Sequence, residues 1–131
     1  MTKKQFILNF TIILFIFFLD RISKIYILNI AENVGIVDLT INSFLNIILV
    51  WNSGIGFGLL QFDENLIYNL ITLLIIIVNF IIIYLIFNST RLHQILFSMI
   101  LGGSLGNLYD RVSYSAVPDF IDLNYSGYHW F

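Results

Sequence analysis

Three stretches of nearly continuous apolar residues divide this 131-residue chain. The first, about Phe6 to Leu28, and the second, about Leu66 to Phe87, each reach the ~20 helical residues needed to cross a hydrocarbon core. The second is interrupted only by Tyr68, Asn69, Thr72, Asn79 and Tyr84 and holds no charge. The third, about Leu92 to Leu108, is shorter and glycine-rich. Gly102 and Gly106 stand four apart, a spacing that lets helix backbones approach closely in lipid, so this helix is expected to pack against a partner. Between the first two spans lies segment 29–65. Its middle, Ile36 to Phe57, alternates imperfectly between apolar and polar residues and is rich in Ile, Val, Thr, Phe and Trp, which reads as short strands. Gly54, Gly56 and Gly58 are expected to bend or bulge them. No repeat or low-complexity linker divides the chain, and Pro118 is its only proline. The pattern predicts a mainly α-helical membrane protein forming one domain over residues 1–131. It has three transmembrane helices and a small β-rich external segment between helices 1 and 2.

Composition excludes the alternatives. The chain is 59% hydrophobic and 11% charged, with a mean hydropathy of +0.91, whereas soluble domains are about 25% charged. The first span is expected to be retained, because it lacks the short apolar core and small-residue cleavage site of a signal peptide. Without cysteine there is no disulfide, thiol nucleophile or thiolate metal site. A net charge of −2 and six scattered basic residues give no nucleic-acid patch. Lys3, Lys4 and Arg91 flank span ends and belong on the cytoplasmic side. The external segment then carries Glu32, Asp38, Asp63 and Glu64 and no Lys or Arg. The end of span one, this segment and the tail converge on one membrane face.

Three polar clusters meet there. Ionisable groups at membrane depth cost roughly 2.5 to 3.5 kcal/mol on insertion scales, so they usually face a functional interior. Asp20 and Lys24 are four apart on one helix face; the bland reading is an interfacial ion pair that snorkels. Trp51 to Gly58 reads either as a turn with an anchoring tryptophan or as a place where backbone meets an extended peptide. Asn107 and Asp110 share one side of the third helix if it continues that far, beside Arg111, which can bind a carboxylate or lipid phosphate. Asp119 follows a turn-like stretch, Ser113 to Pro118. Two carboxyl groups sharing a site do not both ionise readily, leaving one as acid and one as base to activate water. On the residues alone Asp110 and Asp119 form that pair; structurally, Asp110 with Arg111 is an interface pair and Asp119 a loop cap. Asp122 falls on the opposite face of an extended tail and is expected to be solvated. His93 and His129 have no further ligand at metal spacing, so no metal site or other cofactor is expected. Ser53, Ser104 and Ser113 have no motif-placed base. A different class of function also fits: a small non-enzymatic membrane subunit or ion/proton carrier, with Asp20, Lys24 and Asp110 as a buried charge relay.

The chain resembles lipoprotein signal peptidase, or signal peptidase II, over essentially its whole length. Leu19-Asp20-Arg21-Ile22-Ser23-Lys24 is similar to that family's Asp-x-x-Ser-Lys block, and Asn52-Ser53-Gly54-Ile55-Gly56-Phe57 to its Asn-x-Gly-x-x-Phe block. Gly102 to Arg111, followed by Val117-Pro118-Asp119-Phe120, resembles its longest signature. The resemblance implies an aspartic endopeptidase of the bacterial inner membrane with its site on the external, periplasmic face. It implies cleavage of diacylglyceryl-modified prolipoproteins before the lipid-bearing cysteine, in contact with membrane lipids and as a monomer. Asp119 would be one of two catalytic acids, supported by Asp20, Lys24, Asn52, Gly54, Asn107, Asp110 and Arg111, which replaces the Asp110–Asp119 pairing. The family's second catalytic aspartate sits in an Asn-x-Ala-Asp block before a fourth span. Its place is expected beyond Phe131, and residues 1–131 contain no such block. The expectation is therefore a C-terminally incomplete copy, inactive by itself.

Overall fold

A computed structural model describes residues 1–54, 65–125 and 128–130. The expected bends at Gly56 and Gly58, and Ile55 and Phe57 of the second motif block, lie outside the described residues. So does Phe131, the residue past which the second catalytic aspartate is expected, and the structure therefore does not test that expectation.

Helix α1 spans Lys3–Val34. Its start is fixed by a capping box: Thr2 N–H donates to Gln5 Oε1 (2.7 Å) and Gln5 N–H to Thr2 Oγ1 (3.3 Å). It ends only at Gly35, whose φ of 86° places it where side chains are disfavoured and whose N–H returns to the Ala31 carbonyl (2.8 Å). The expected end near Leu28 was too early. Residues 29–34 mix Asn and Glu with Ile, Ala and Val and contain no helix breaker, so they extend the helix and are not strand. Helix α2 spans Asn65–Asn88 and α3 Arg91–Tyr114. The third helix also outruns its expected end at Leu108 and closes at Ser115, which adopts the left-handed conformation (φ 57°). Asn107, Asp110 and Arg111 thus project from the helix itself.

Two helical stretches, Lys3–Val34 and Leu66–Asn88, are long and apolar enough to cross a membrane among the described residues. Helix α3 does not meet that test, because Gln94, Ser98, Gly102, Gly103, Ser104 and Gly106 dilute its apolar content. What Gly102 and Gly106 provide is contact. A Cβ on Gly102 would stand 2.8 Å from both the Ile13 carbonyl oxygen and Ile16 Cβ, so α3 lies directly on the α1 backbone. The buried core between helices is Ile82, Ile86 and Leu101, with Ile13, Phe97 and Leu105 packed against it. Phe10, Phe15, Phe18, Leu73, Leu74 and Phe80 remain exposed, as expected of surfaces whose solvent is lipid.

The β structure is a four-stranded antiparallel sheet in the order β1-β2-β3-β4: Asp38–Asn42, Leu45–Asn52, Val117–Tyr125 and Tyr128–Trp130. Half of it comes from the tail, which the expectation confined to segment 29–65 did not include. From Ile47↔Ile121 to Val50↔Asp119 the register advances three residues on β2 and two on β3, a bulge in β2. Strand β3 leaves α3 after two residues, so the helix that carries Asn107 and Asp110 also aims Asp119.

Candidate active site

The site grows from one buried carboxylate. Asp110, on the face of α3 turned to α1, has no exposed surface, and burial of a charge is tolerated only with partners. Two cations from α1 supply them. Arg21 Nη2 donates to Asp110 Oδ2 (2.7 Å) and Nη1 to Oδ1, a bidentate fork. Lys24 Nζ donates to Asp110 Oδ2 (2.6 Å) and to Asn107 Oδ1 (2.7 Å). Asp20 closes the ring, accepting from Arg21 Nη2 (2.6 Å) and lying 2.9 Å from Lys24 Nζ. The spacing of Asp20, Arg21 and Lys24 on a helix turns all three toward α3, and Gly106 leaves the room: a Cβ there would stand 2.7 Å from Asp20 Cγ. Lys24 is only 5% exposed, so it does not snorkel to the interface; it reaches inward to Asp110.

The other wall is the sheet. Asn52, at the end of β2, donates Nδ2–H to Asp119 Oδ2 (2.8 Å), while its Oδ1 accepts from the Gly54 N–H (2.8 Å). The Gly54 carbonyl in turn accepts from Arg111 Nη2. Arg111 is 5% exposed and lies over the Tyr68 ring at 5.6 Å, with Tyr68 Oη donating to its carbonyl (2.8 Å). Its Nε and Nη1 have no hydrogen-bond partner among the described residues, and it borders a cavity of about 390 Å³ with Asn107, Gly103 and Ser104. A second cleft, of about 240 Å³, joins Asp119 to Asp20, Lys24 and Asn107.

All eight residues singled out from the sequence therefore fall in one linked region, although Asp110 and Asp119 are not a pair. Both Asp110 oxygens are engaged by cations, as are both of Asp20. Asp119 alone of the three accepts from a neutral amide and forms no ion pair among the described residues. An acid bound that way can exchange a proton without breaking a salt bridge.

Two participants were missed as site residues. Arg21, readable as a third charge inside the first span, carries the fork to Asp110. Tyr68, an ordinary interruption of the second span, caps the end of α3. Asp122, expected to be solvated, is fully buried against Asn46 and His129; strand alternation places its face but not the neighbour that covers it.

Similarity to known proteins extends over nearly the whole chain. The family model described as Signal peptidase (SPase) II matches residues 12–131. A lipoprotein signal peptidase of Pelagibacter ubique (strain HTCC1062) is 48% identical over 128 residues, covering 98% of this chain and 77% of that protein. A lipoprotein signal peptidase of Anaplasma phagocytophilum (strain HZ) is 38% identical over 112 residues, covering 86% and 70%. A solved bacterial membrane enzyme, determined by the in meso method at 2.3 Å resolution, superposes with a TM-score of 0.75 at 30% identity over 94% of this chain and 74% of its own.

Proposed function

This chain belongs to the signal peptidase II family, and from that premise we propose that it is an aspartic endopeptidase removing signal peptides from lipoprotein precursors. The substrates are diacylglyceryl-modified prolipoproteins, cut before the lipid-bearing cysteine at the external face of the bacterial inner membrane. The observation that carries the reading is the contrast among three clustered acids. Asp20 and Asp110 are held by Arg21 and Lys24, while Asp119 faces the cleft with only the Asn52 amide bonded to it among the described residues.

Asp119 acts on the attacking water or on the scissile amide, depending on which member of the pair holds the shared proton. Its partner is the aspartate of the Asn-x-Ala-Asp block, which belongs past Phe131 and has no counterpart in residues 1–131. Neither Asp20 nor Asp110 fills that role, since each would first have to release two cations. Asn52 orients the Asp119 carboxylate and leaves its other oxygen for water. Arg111, whose Nε and Nη1 have no partner among the described residues, donates to carbonyls of the extended peptide near Gly54. The Asp20–Arg21–Lys24–Asp110 cluster braces α1 against α3 so that the two walls keep their separation. The enzyme works as a monomer in contact with membrane lipids, with α3 as a third span.

The test is Asp119→Asn in the full-length protein, with processing of a diacylglyceryl prolipoprotein followed by gel shift. The substitution keeps size and loses the ionisable group, so turnover is expected to fall by about a thousandfold or more. Unchanged processing would remove Asp119 from the chemistry. It would also favour a carrier in which Asp20, Lys24 and Asp110 relay charge, because such a relay does not need residue 119.

A further inference from the structure

Asp122 takes no part in the chemistry above, yet it is fully buried. It stands three residues after Asp119 on β3, so alternation sends the two side chains to opposite faces of the sheet. It does not line the cleft that Asp119 shares with Asp20 and Lys24. From each flanking strand one group reaches the same carboxylate oxygen. Asn46 on β2, its register partner, donates Nδ2–H to Asp122 Oδ2 at 2.9 Å. His129 on β4 places Nδ1 2.7 Å from that oxygen. The carboxylate thereby ties β4 to β3 and β3 to β2, across the strand that holds the reactive acid. Among the described residues, Tyr128–Trp130 of β4 pair with Leu123–Tyr125 of β3, and the His129–Asp122 bond adds a side-chain tie to that pairing.

We infer that His129 is a positioning residue for Asp119. Its Nδ1–H bond to Asp122 seats β3 between its neighbours and so fixes where the Asp119 carboxyl stands over the cleft. This rests on Asp119 being a catalytic acid. The bond requires the neutral imidazole to adopt the Nδ1–H tautomer, since a carboxylate only accepts.

The experiment has a kinetic arm and a spectroscopic one, both on the full-length protein. His129→Phe keeps a ring and removes the donor; it is expected to lower kcat about tenfold, the worth of a hydrogen bond to a charged group, while KM stays within about twofold because substrate meets the other face. His129→Asn, whose amide nitrogen overlies Nδ1, is expected to restore kcat to within about threefold of the parent. An unchanged kcat in His129→Phe overturns the inference, as does a loss confined to KM or one that His129→Asn leaves in place. Should His129→Phe fail to fold, nitrogen NMR of the unsubstituted protein decides. The chain up to residue 131 has two histidines, and the deprotonated His129 ring is expected as the Nδ1–H tautomer; Nε2–H overturns the proposal. That measurement involves no turnover, so it fails independently of Asp119→Asn.

Discussion

Replacing Asp110 by Asn tests whether the α1–α3 contact is held by charge. The side chain keeps its shape, but one carboxylate oxygen becomes an NH2 group that must face Arg21 or Lys24, both donors only. The ring of Asp20, Asp110, Arg21 and Lys24 is formally neutral; the substitution leaves it with one uncompensated positive charge. At 2.6 Å between Lys24 Nζ and Asp110 Oδ2, the Coulomb attraction is roughly 6 kcal/mol at an effective dielectric constant of about 20. Desolvation of both ions offsets much of it, and removing one partner of a buried pair has a net cost of about 3 to 5 kcal/mol. That is the loss expected for Asp110→Asn. Unfolding the full-length protein with SDS in mixed micelles measures it through tryptophan fluorescence, since Trp51 packs edge-on to Tyr114 at 5.8 Å where sheet meets helix. Adding Lys24→Met restores neutrality, and the double variant is expected to recover at least about 1.5 kcal/mol relative to additivity. A loss below about 1 kcal/mol for Asp110→Asn, or simple additivity in the cycle, would refute an ionic brace.

The glycines of α3 separate by position. Gly102→Ala meets the α1 backbone and is expected to lower unfolding free energy by about 1 to 3 kcal/mol, whereas Gly103→Ala, with nothing within 4 Å of its new Cβ, stays within about 0.5 kcal/mol; the same SDS titration compares them. Tyr68→Phe removes a 2.8 Å bond to the Arg111 carbonyl but keeps the ring beneath the guanidinium. It is expected to lose about 1 kcal/mol, and Tyr68→Ala a further 0.5 to 2 kcal/mol, roughly the worth of the cation–π contact.

Legibility along the chain followed how local each cause is. Helix α2 was plain because nothing in its apolar run competes with helix. Helices α1 and α3 both run past the ends expected from their apolar runs for a common reason: polarity by itself does not stop a helix. Asn29, Glu32 and Asn33 are polar because they pass the apolar zone, Asn107 and Asp110 because their partners lie across on α1, and Arg111 because it reaches the Gly54 carbonyl. The sheet was half visible. Alternation marks β1 and β2, but β2 pairs with β3 across more than sixty residues of sequence, a distance over which periodicity is silent. Asp122 repeats the lesson within one strand, since its side follows from counting and its burial depends on β4. The residues of the candidate site were legible as motif blocks; without the family resemblance their roles were not, since Asp20, Asp110 and Asp119 differ only in which groups reach them.

On the proposed reading of Asp119 as a catalytic acid, that difference explains why the acid belongs on the sheet. An acid on α1 or α3 at this depth lies where burial demands a cation, and a carboxylate clamped between Arg21 and Lys24 cannot change its protonation without forfeiting the clamp. Strand β3 lifts Asp119 one step away from that cluster, to the rim of the same cleft, where a neutral donor from Asn52 suffices. The helices then supply rigidity and the strand supplies a titratable group. The tie between them is the two-residue connection from Tyr114 to Val117, closed by the Ser115 N–H on the Arg111 carbonyl at 3.1 Å. Lengthening that connection by two glycines would leave the ionic brace intact and free the strand. Stability in SDS should then hold within about 1 kcal/mol while processing falls by at least about tenfold. If turnover survives the insertion, the placement of Asp119 does not depend on the helix that leads to it.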